Sequence, residues 1–156
     1  MRSATLRAKA RDWWVDFCHP LPPFRGRLAA ARIISETFLT RPENAVTWAK
    51  LPNGFKVKVD LRWRGGYDVL YYFREYERPL ADLIRRAVDV EAGSFIDVGA
   101  NIGVFCFWVA DILRRRAGRA LAIEPIPANY AFLTAGITEN ALRESVTPIA
   151  AAIADR

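Results

Sequence analysis

The run Phe95-Ile96-Asp97-Val98-Gly99-Ala100-Asn101-Ile102-Gly103 is followed about twenty residues later by Ala122-Ile123-Glu124-Pro125. The two segments predict a buried parallel strand, a glycine turn, a helix, and a second strand ending in a carboxylate. Gly99 and Gly103 carry no Cβ, so the backbone can turn sharply there and approach a ligand closely. The helix that follows presents unpaired N–H groups and a positive dipole end, where an anionic or zwitterionic group can sit. Glu124, at the carboxyl end of the neighbouring strand, stands where a carboxylate can accept both hydroxyls of a ribose, in the crevice where open α/β sheets hold their ligands. Together these residues specify a nucleoside-containing cofactor.

Spacing narrows the choice. A dinucleotide fingerprint needs glycines at the first, third and sixth positions, but counting from Gly99 these positions hold Asn101 and Val104. A phosphate-cradling loop needs Gly-Lys-Ser or Gly-Lys-Thr at its end, and neither tripeptide occurs in the chain. The pattern Asp97-x-Gly99-x-Asn101-x-Gly103 instead resembles the first motif of S-adenosylmethionine-dependent methyltransferases. That resemblance implies S-adenosylmethionine as cofactor, with its amino-acid carboxylate at the glycine turn and its ribose on the acidic residue. The candidate cofactor residues are Asp97, Gly99, Ala100, Asn101, Gly103, Glu124, Pro125 and Ile126, the last two covering the adenine ring.

DVGANIGVF followed by AIEPIPANYAFL is more narrowly similar to the FkbM family of methyltransferases, whose members modify hydroxyls of sugars and secondary metabolites. Val59-Asp60-Leu61, Tyr71-Tyr72 and Tyr76-Glu77-Arg78-Pro79 resemble that family's lead-in, so the likeness covers roughly residues 45 to 155. It implies a sugar or small-molecule hydroxyl as methyl acceptor, with nucleic acid set aside. The family continues past its third strand with a fourth ending in a pattern like Ile-Asp-x-Glu-Gly and three more strands, whereas this chain stops at Arg156. The expectation is therefore the first half of a Rossmann-like, doubly wound α/β sheet, truncated after its third strand. Its first cofactor strand would be an uncovered apolar edge that invites self-association. The catalytic base would come from later strands, so no catalytic residue is named.

The elements that must position these residues are readable. Arg25 to Thr40 has helical spacing, with Leu28, Ala31, Ile33, Ile34 and Phe38 expected on a buried face and Arg41-Pro42 as its stop. Val46 to Leu51 and Phe55 to Val59 alternate apolar and polar residues around Pro52-Asn53-Gly54, a hairpin signal. Arg78 to Val90 predicts an amphipathic helix, and Val146 to Ala150 the third strand of the core unit. Two parts are expected: a basic N-terminal extension with a helix over residues 1–43, and the cofactor domain over 44–156.

The chain has 156 residues, 52% of them hydrophobic, and a net charge of +6. A chain of about this size buries about two-thirds of its unfolded surface. In the first 41 positions eight basic residues face three acidic ones, which reads as a solvated basic face or a poorly ordered arm. Trp13-Trp14-Val15 is broken at once by Asp16, so neither a signal core nor a membrane span is predicted and a cytoplasmic location is expected. Cys18 and Cys106 lack metal or disulfide spacing, and Cys106 is expected to be a small core residue. No metal is expected, and His19 reads as a loop residue. Tyr76 and Glu77 are candidates for the methionine end of the cofactor. Two other classes stay open. One is a non-catalytic remnant of a cofactor domain that serves as an interaction module. The other is a nucleic-acid methyltransferase, motivated by the basic N-terminus and the aromatics Trp63, Tyr67, Tyr71, Tyr72 and Phe73, which also fit a core-facing strand.

Overall fold

A computed structural model describes residues 2–39, 45–63, 66–91 and 93–154. The chain divides into two compact units, Met1–Ala49 with Val59–Tyr76, and Lys50–Lys58 with Glu77–Arg156. The boundary expected between residues 43 and 44 lies outside the described residues.

In the first unit a helix the sequence reading did not separate, α1 (Arg2–Cys18), precedes α2 (Arg27–Ile34) and a π-helical turn over Ser35–Leu39. Three of the basic residues here are less solvated than expected, while Arg7, Lys9 and Arg25 are exposed. Arg11 is buried; its guanidinium donates to Thr47 Oγ1 at 3.0 Å and lies 5.6 Å from the Tyr71 ring centroid. Arg27 pairs with Glu75 and covers the Phe73 ring, and Arg32 pairs with Asp68. Long basic side chains of this kind bury their stems while their charge finds a partner. The buried face expected for residues 25–40 is corrected: Ala31 and Ser35 face inward, whereas Ile33 and Phe38 are both 64% exposed. The aromatic run also differs from the strand considered for it. It forms a helix, α3 (Tyr67–Phe73), entered through Gly66 at φ +92°, and Tyr67, Tyr71, Tyr72 and Phe73 are buried in it. Those rings fill a core and are not offered to bases.

The predicted hairpin forms from β1 (Val46–Lys50) and β2 (Lys56–Asp60). Gly54 takes φ +89°, and Leu51 N–H donates to Phe55 O at 2.8 Å to close the turn. The hairpin tip, Lys50–Lys58, belongs to the second unit. There Asn53 Nδ2 donates to the α5 carbonyls of Phe107 and Trp108 at 2.9 and 3.0 Å; α5 spans Val104–Arg115. Lys56 N–H donates to Asn140 Oδ1 at 2.8 Å, and Asn140 Nδ2 donates back to Lys56 O at 2.7 Å.

The rest of the second unit alternates helix and strand: α4 (Arg78–Glu91), β3 (Phe95–Val98), α5, β4 (Ala120–Ile123), α6 (Pro127–Glu139) and β5 (Val146–Ile149). The three strands pair in parallel in the order β3-β4-β5, with Phe95 opposite Ala120 and Ala120 opposite Val146. Parallel neighbours need crossover connections, which α5 and α6 supply. This is the Rossmann-like α/β arrangement the sequence predicts. Among the described residues β3 lies at the sheet edge, and Ile96 and Val98 are 61% and 60% exposed. The helix after it is covered. Val104, Cys106, Phe107, Trp108, Val109, Ile112 and Leu113 are all buried, and the Arg78 guanidinium lies 5.5 Å from the Trp108 ring centroid. Phe107 is a wedge: an added Cβ would come within 2.8 Å of its ring at Gly103 and 2.5 Å at Gly136.

On the outer side of α5, Asp111 accepts two hydrogen bonds from Arg85, at 2.6 and 2.7 Å, with Asn53 and Arg115 also donating. Arg85 above all holds its carboxyl down, to about 2. A depressed carboxylate contributes stability above its unfolded value of 3.8 and loses it as pH falls through about 2. Asp111→Ala is expected to cost about 1 to 2 kcal/mol at neutral pH after discounting for partial exposure. Denaturant titrations should show the difference from the parent vanishing in strong acid. Among the described residues no helix is long and apolar enough to cross a membrane.

Candidate functional site

The turn between β3 and α5 is built by three residues with positive φ: Gly99 at +79°, Asn101 at +53° and Gly103 at +89°. Asn is the non-glycine residue that tolerates this region best, which accounts for its place between the two glycines. The N–H groups of Gly99 and Ala100 both donate to Ile123 O at 2.9 Å, so the end of β4 pins the start of the turn. Gly103 N–H then donates to Ala100 O at 2.8 Å and opens α5.

The two glycines serve different ends. An added Cβ at Gly103 would lie 2.7 Å from Leu133 Cδ1 and 2.8 Å from the Phe107 ring, so this position is glycine for packing and for its backbone angle. At Gly99 an added Cβ would meet nothing within 4 Å. The turn therefore presents bare backbone to open space at Gly99, where a ligand can approach.

Glu124 is 3% exposed. Its Oε2 accepts Asn101 N–H at 2.8 Å, and its Oε1 accepts Ile126 N–H at 2.8 Å and Asn129 Nδ2 at 3.3 Å. The carboxylate thus ties the glycine turn to the loop that enters α6. A carboxylate has about four lone-pair sites, so acceptor capacity remains beyond these three donors. Pro125 is exposed and Ile126 is 54% exposed, leaving an apolar surface beside the carboxylate.

One polar atom in the turn has no partner: Asn101 Oδ1 is buried and accepts no hydrogen bond. A buried acceptor left unpaired costs about 1 to 3 kcal/mol, and a donor on a bound molecule would remove that cost. Below the turn, Asp97 is half-buried on β3 and Cys106 on α5 is fully buried, with Cys106 Sγ donating to Asp97 Oδ2 at 3.3 Å. Burial pushes the Asp97 carboxyl up from its usual range, and the thiol is pushed well above its own by burial and by the neighbouring carboxylate.

Asp97, Gly99, Ala100, Asn101, Gly103, Glu124, Pro125 and Ile126 thus all lie in the second unit, around the ends of β3 and β4. Tyr76 falls in the first unit, stacked on Tyr67 at 6.0 Å between centroids, and Glu77 opens the second. His19 follows α1, with its backbone N–H on Val15 O at 2.9 Å, and desolvation followed by the Arg74 charge lowers its pKa. One contributor, Asn129, escapes the sequence reading: it carries no motif and reaches Glu124 only because Pro127 starts α6 two residues earlier. Cys106 is the core residue the sequence predicts, and its pairing with Asp97 shows only in the strand–helix geometry.

No family model and no curated protein matches the chain. Solved structures of similar fold include the M. jannaschii tRNA m1G37 methyltransferase, with 19% identity over 73% of this chain and 32% of that one, at a TM-score of 0.47. Methanocaldococcus jannaschii Trm5 in complex with adenosine gives the same identity, coverage and score. The complex of aTrm5 and tRNALeu gives 21% identity over 72% of this chain and 30% of that one, at 0.48. The likeness is one of fold, and the chain spans about a third of the length of these proteins. One expectation is corrected here. A sugar or small-molecule acceptor with nucleic acid set aside does not stand beside a similar fold solved in complex with tRNA.

Proposed function

We propose that the second unit is the cofactor-holding part of an S-adenosylmethionine-dependent methyltransferase whose acceptor is a nucleic acid. The observation that carries the cofactor is the turn itself: bare backbone at Gly99, a buried acceptor without a partner on Asn101, and a buried carboxylate at Glu124 with capacity left. These fit a ligand that has both an amino-acid end and a ribose. Gly99 would let the amino-acid end approach the backbone, with the first-turn N–H groups of α5 favouring its carboxylate. Asn101 Oδ1 would accept a ligand N–H or O–H, Glu124 would accept a ribose hydroxyl, and Pro125 and Ile126 would cover the base. When bound, the cofactor supplies a methyl group on a sulfonium, already activated for transfer. The protein's part is then to hold that group in register with its acceptor and to exclude water around it. A net charge of +6 is the sign an anionic acceptor requires.

Both halves of the proposal are open to test. Hydrogen bonds to a charged carboxylate are worth roughly 1.5 to 3 kcal/mol each, and about 1.4 kcal/mol is a factor of ten. Glu124→Ala is therefore expected to weaken S-adenosylhomocysteine binding at least about tenfold by calorimetry, with circular dichroism showing a retained fold. An unchanged affinity would remove Glu124 from the site. RNA should bind with an affinity that falls as salt rises, at a log–log slope of about −0.7 per phosphate neutralised on a single strand. Salt-independent or absent binding would discard the nucleic-acid acceptor and leave the cofactor reading standing.

A further inference from the structure

The Asp97–Cys106 pair lies under the turn and is not used by the contacts assigned above. Asp97 projects from β3 toward α5, where the Cys106 thiol donates to Oδ2 at 3.3 Å and the Cys106 backbone adds a second hydrogen bond. The titratable groups facing Asp97 from the elements packed on it are Cys106 on α5 and Glu124 at the end of β4. One is a thiol held protonated by burial; the other is a second carboxylate, which repels a charge on Asp97. Burial is the larger influence on Asp97 and Glu124 adds to it, both favouring the neutral acid, while the hydrogen bonds from Cys106 oppose them. Neither facing group is a cation.

We propose that Cys106 is a positioning residue for Asp97, and that capture of a cationic cofactor in this turn releases a proton from Asp97. The inference rests on the cofactor reading above. A ligand with an ammonium and a sulfonium brings the positive charge that this cluster lacks, and an opposite charge within about 4 to 6 Å lowers a carboxyl pKa by about 1 to 3 units. The carboxyl thus has a raised pKa in the empty turn and a lower one in the complex. Affinity must then rise with pH between those two values and level off above the upper one, by at most about tenfold per pH unit for one proton. S-adenosylmethionine should show a steeper rise than S-adenosylhomocysteine, whose sulfur is neutral.

Calorimetry of both ligands in pairs of buffers with different ionisation heats counts the protons released. The expected result is fractional proton release in mildly acidic buffer that falls toward zero as pH rises, and its loss in Asp97→Asn. Cys106→Ala removes the thiol donor, so the carboxyl pKa climbs further and the affinity profile shifts to higher pH. Cys106→Ser, which restores a donor, should bring the profile back. A cysteine that only filled space would change thermal stability without moving the profile. Carbon NMR titration of the Asp97 carboxyl in the parent protein, with and without ligand, reads the same shift without any substitution. Binding with no proton release, or a profile unmoved by Cys106→Ala, overturns this proposal alone. No binding of either ligand at any pH overturns the cofactor reading and this proposal with it.

Discussion

Gly99→Val is expected to weaken binding of S-adenosylhomocysteine at least about a hundredfold, about 2.8 kcal/mol or more, with the second unit still folded. Two effects combine. The backbone there has φ +79°, a region costing an L-residue about 1 to 2 kcal/mol and a β-branched one more. The added side chain would also stand in the open space that makes this position an approach for ligand, since nothing lies within 4 Å of an added Cβ. That same openness spares the fold from a steric clash. Calorimetry measures the loss and thermal unfolding checks that the strain remains local. Parental affinity in a folded Gly99→Val protein would mean the ligand does not approach at Gly99, and the site would have to be moved.

Phe107→Ala is expected to destabilise the second unit by about 3 to 5 kcal/mol, the usual range for emptying a buried phenylalanine site. Phe107 is fully buried, and its ring passes over two glycines, Gly103 and Gly136, with Leu133 beside it. Backbone at two glycines cannot collapse into the space as side chains could, so the upper part of the range applies. The reverse change tests the same contact. Gly136→Ala would place a Cβ 2.5 Å from the Phe107 ring and should cost about 1 to 3 kcal/mol by overpacking. Urea unfolding of the two single variants and the double should be strongly non-additive, because they share one contact. Additive costs would show that Phe107 and Gly136 do not touch.

The sheet and its turn were legible because their signals are local. Three apolar strand residues around Asp97, a glycine turn, and a helix with its own period stand side by side between Phe95 and Arg115, so the order of elements follows from the chain. The Asn53-Gly54 turn was legible for the same reason. The first unit resisted because its order depends on partners distant in sequence. Arg11 reads as a solvated charge until Thr47 and Tyr71 are seen beside it. The run from Tyr67 to Phe73 is apolar apart from Asp68, and so short an apolar run has no period with which to tell helix from strand; it proved helical. At the site, the glycines and Glu124 were legible from type and spacing. What spacing could not show was that Gly103 answers to Phe107 and Leu133, that Glu124 binds the backbone of its own turn, and that Asp97 keeps company with a thiol.

The tip of the β1–β2 hairpin is part of the second unit, tied to α5 by Asn53 and to the end of α6 by Lys56 and Asn140. Each unit is therefore written in two separate stretches of sequence, one threaded through the other. During synthesis the tip emerges well before the helices it caps, so its polar groups must wait in water until α5 and α6 leave the ribosome. A polypeptide begun at Glu77 would contain all three described strands of the parallel sheet and still lack those caps. The gene cannot be cut between its two units at any single point, and shuffling the cofactor-binding unit into another protein requires carrying the hairpin with it.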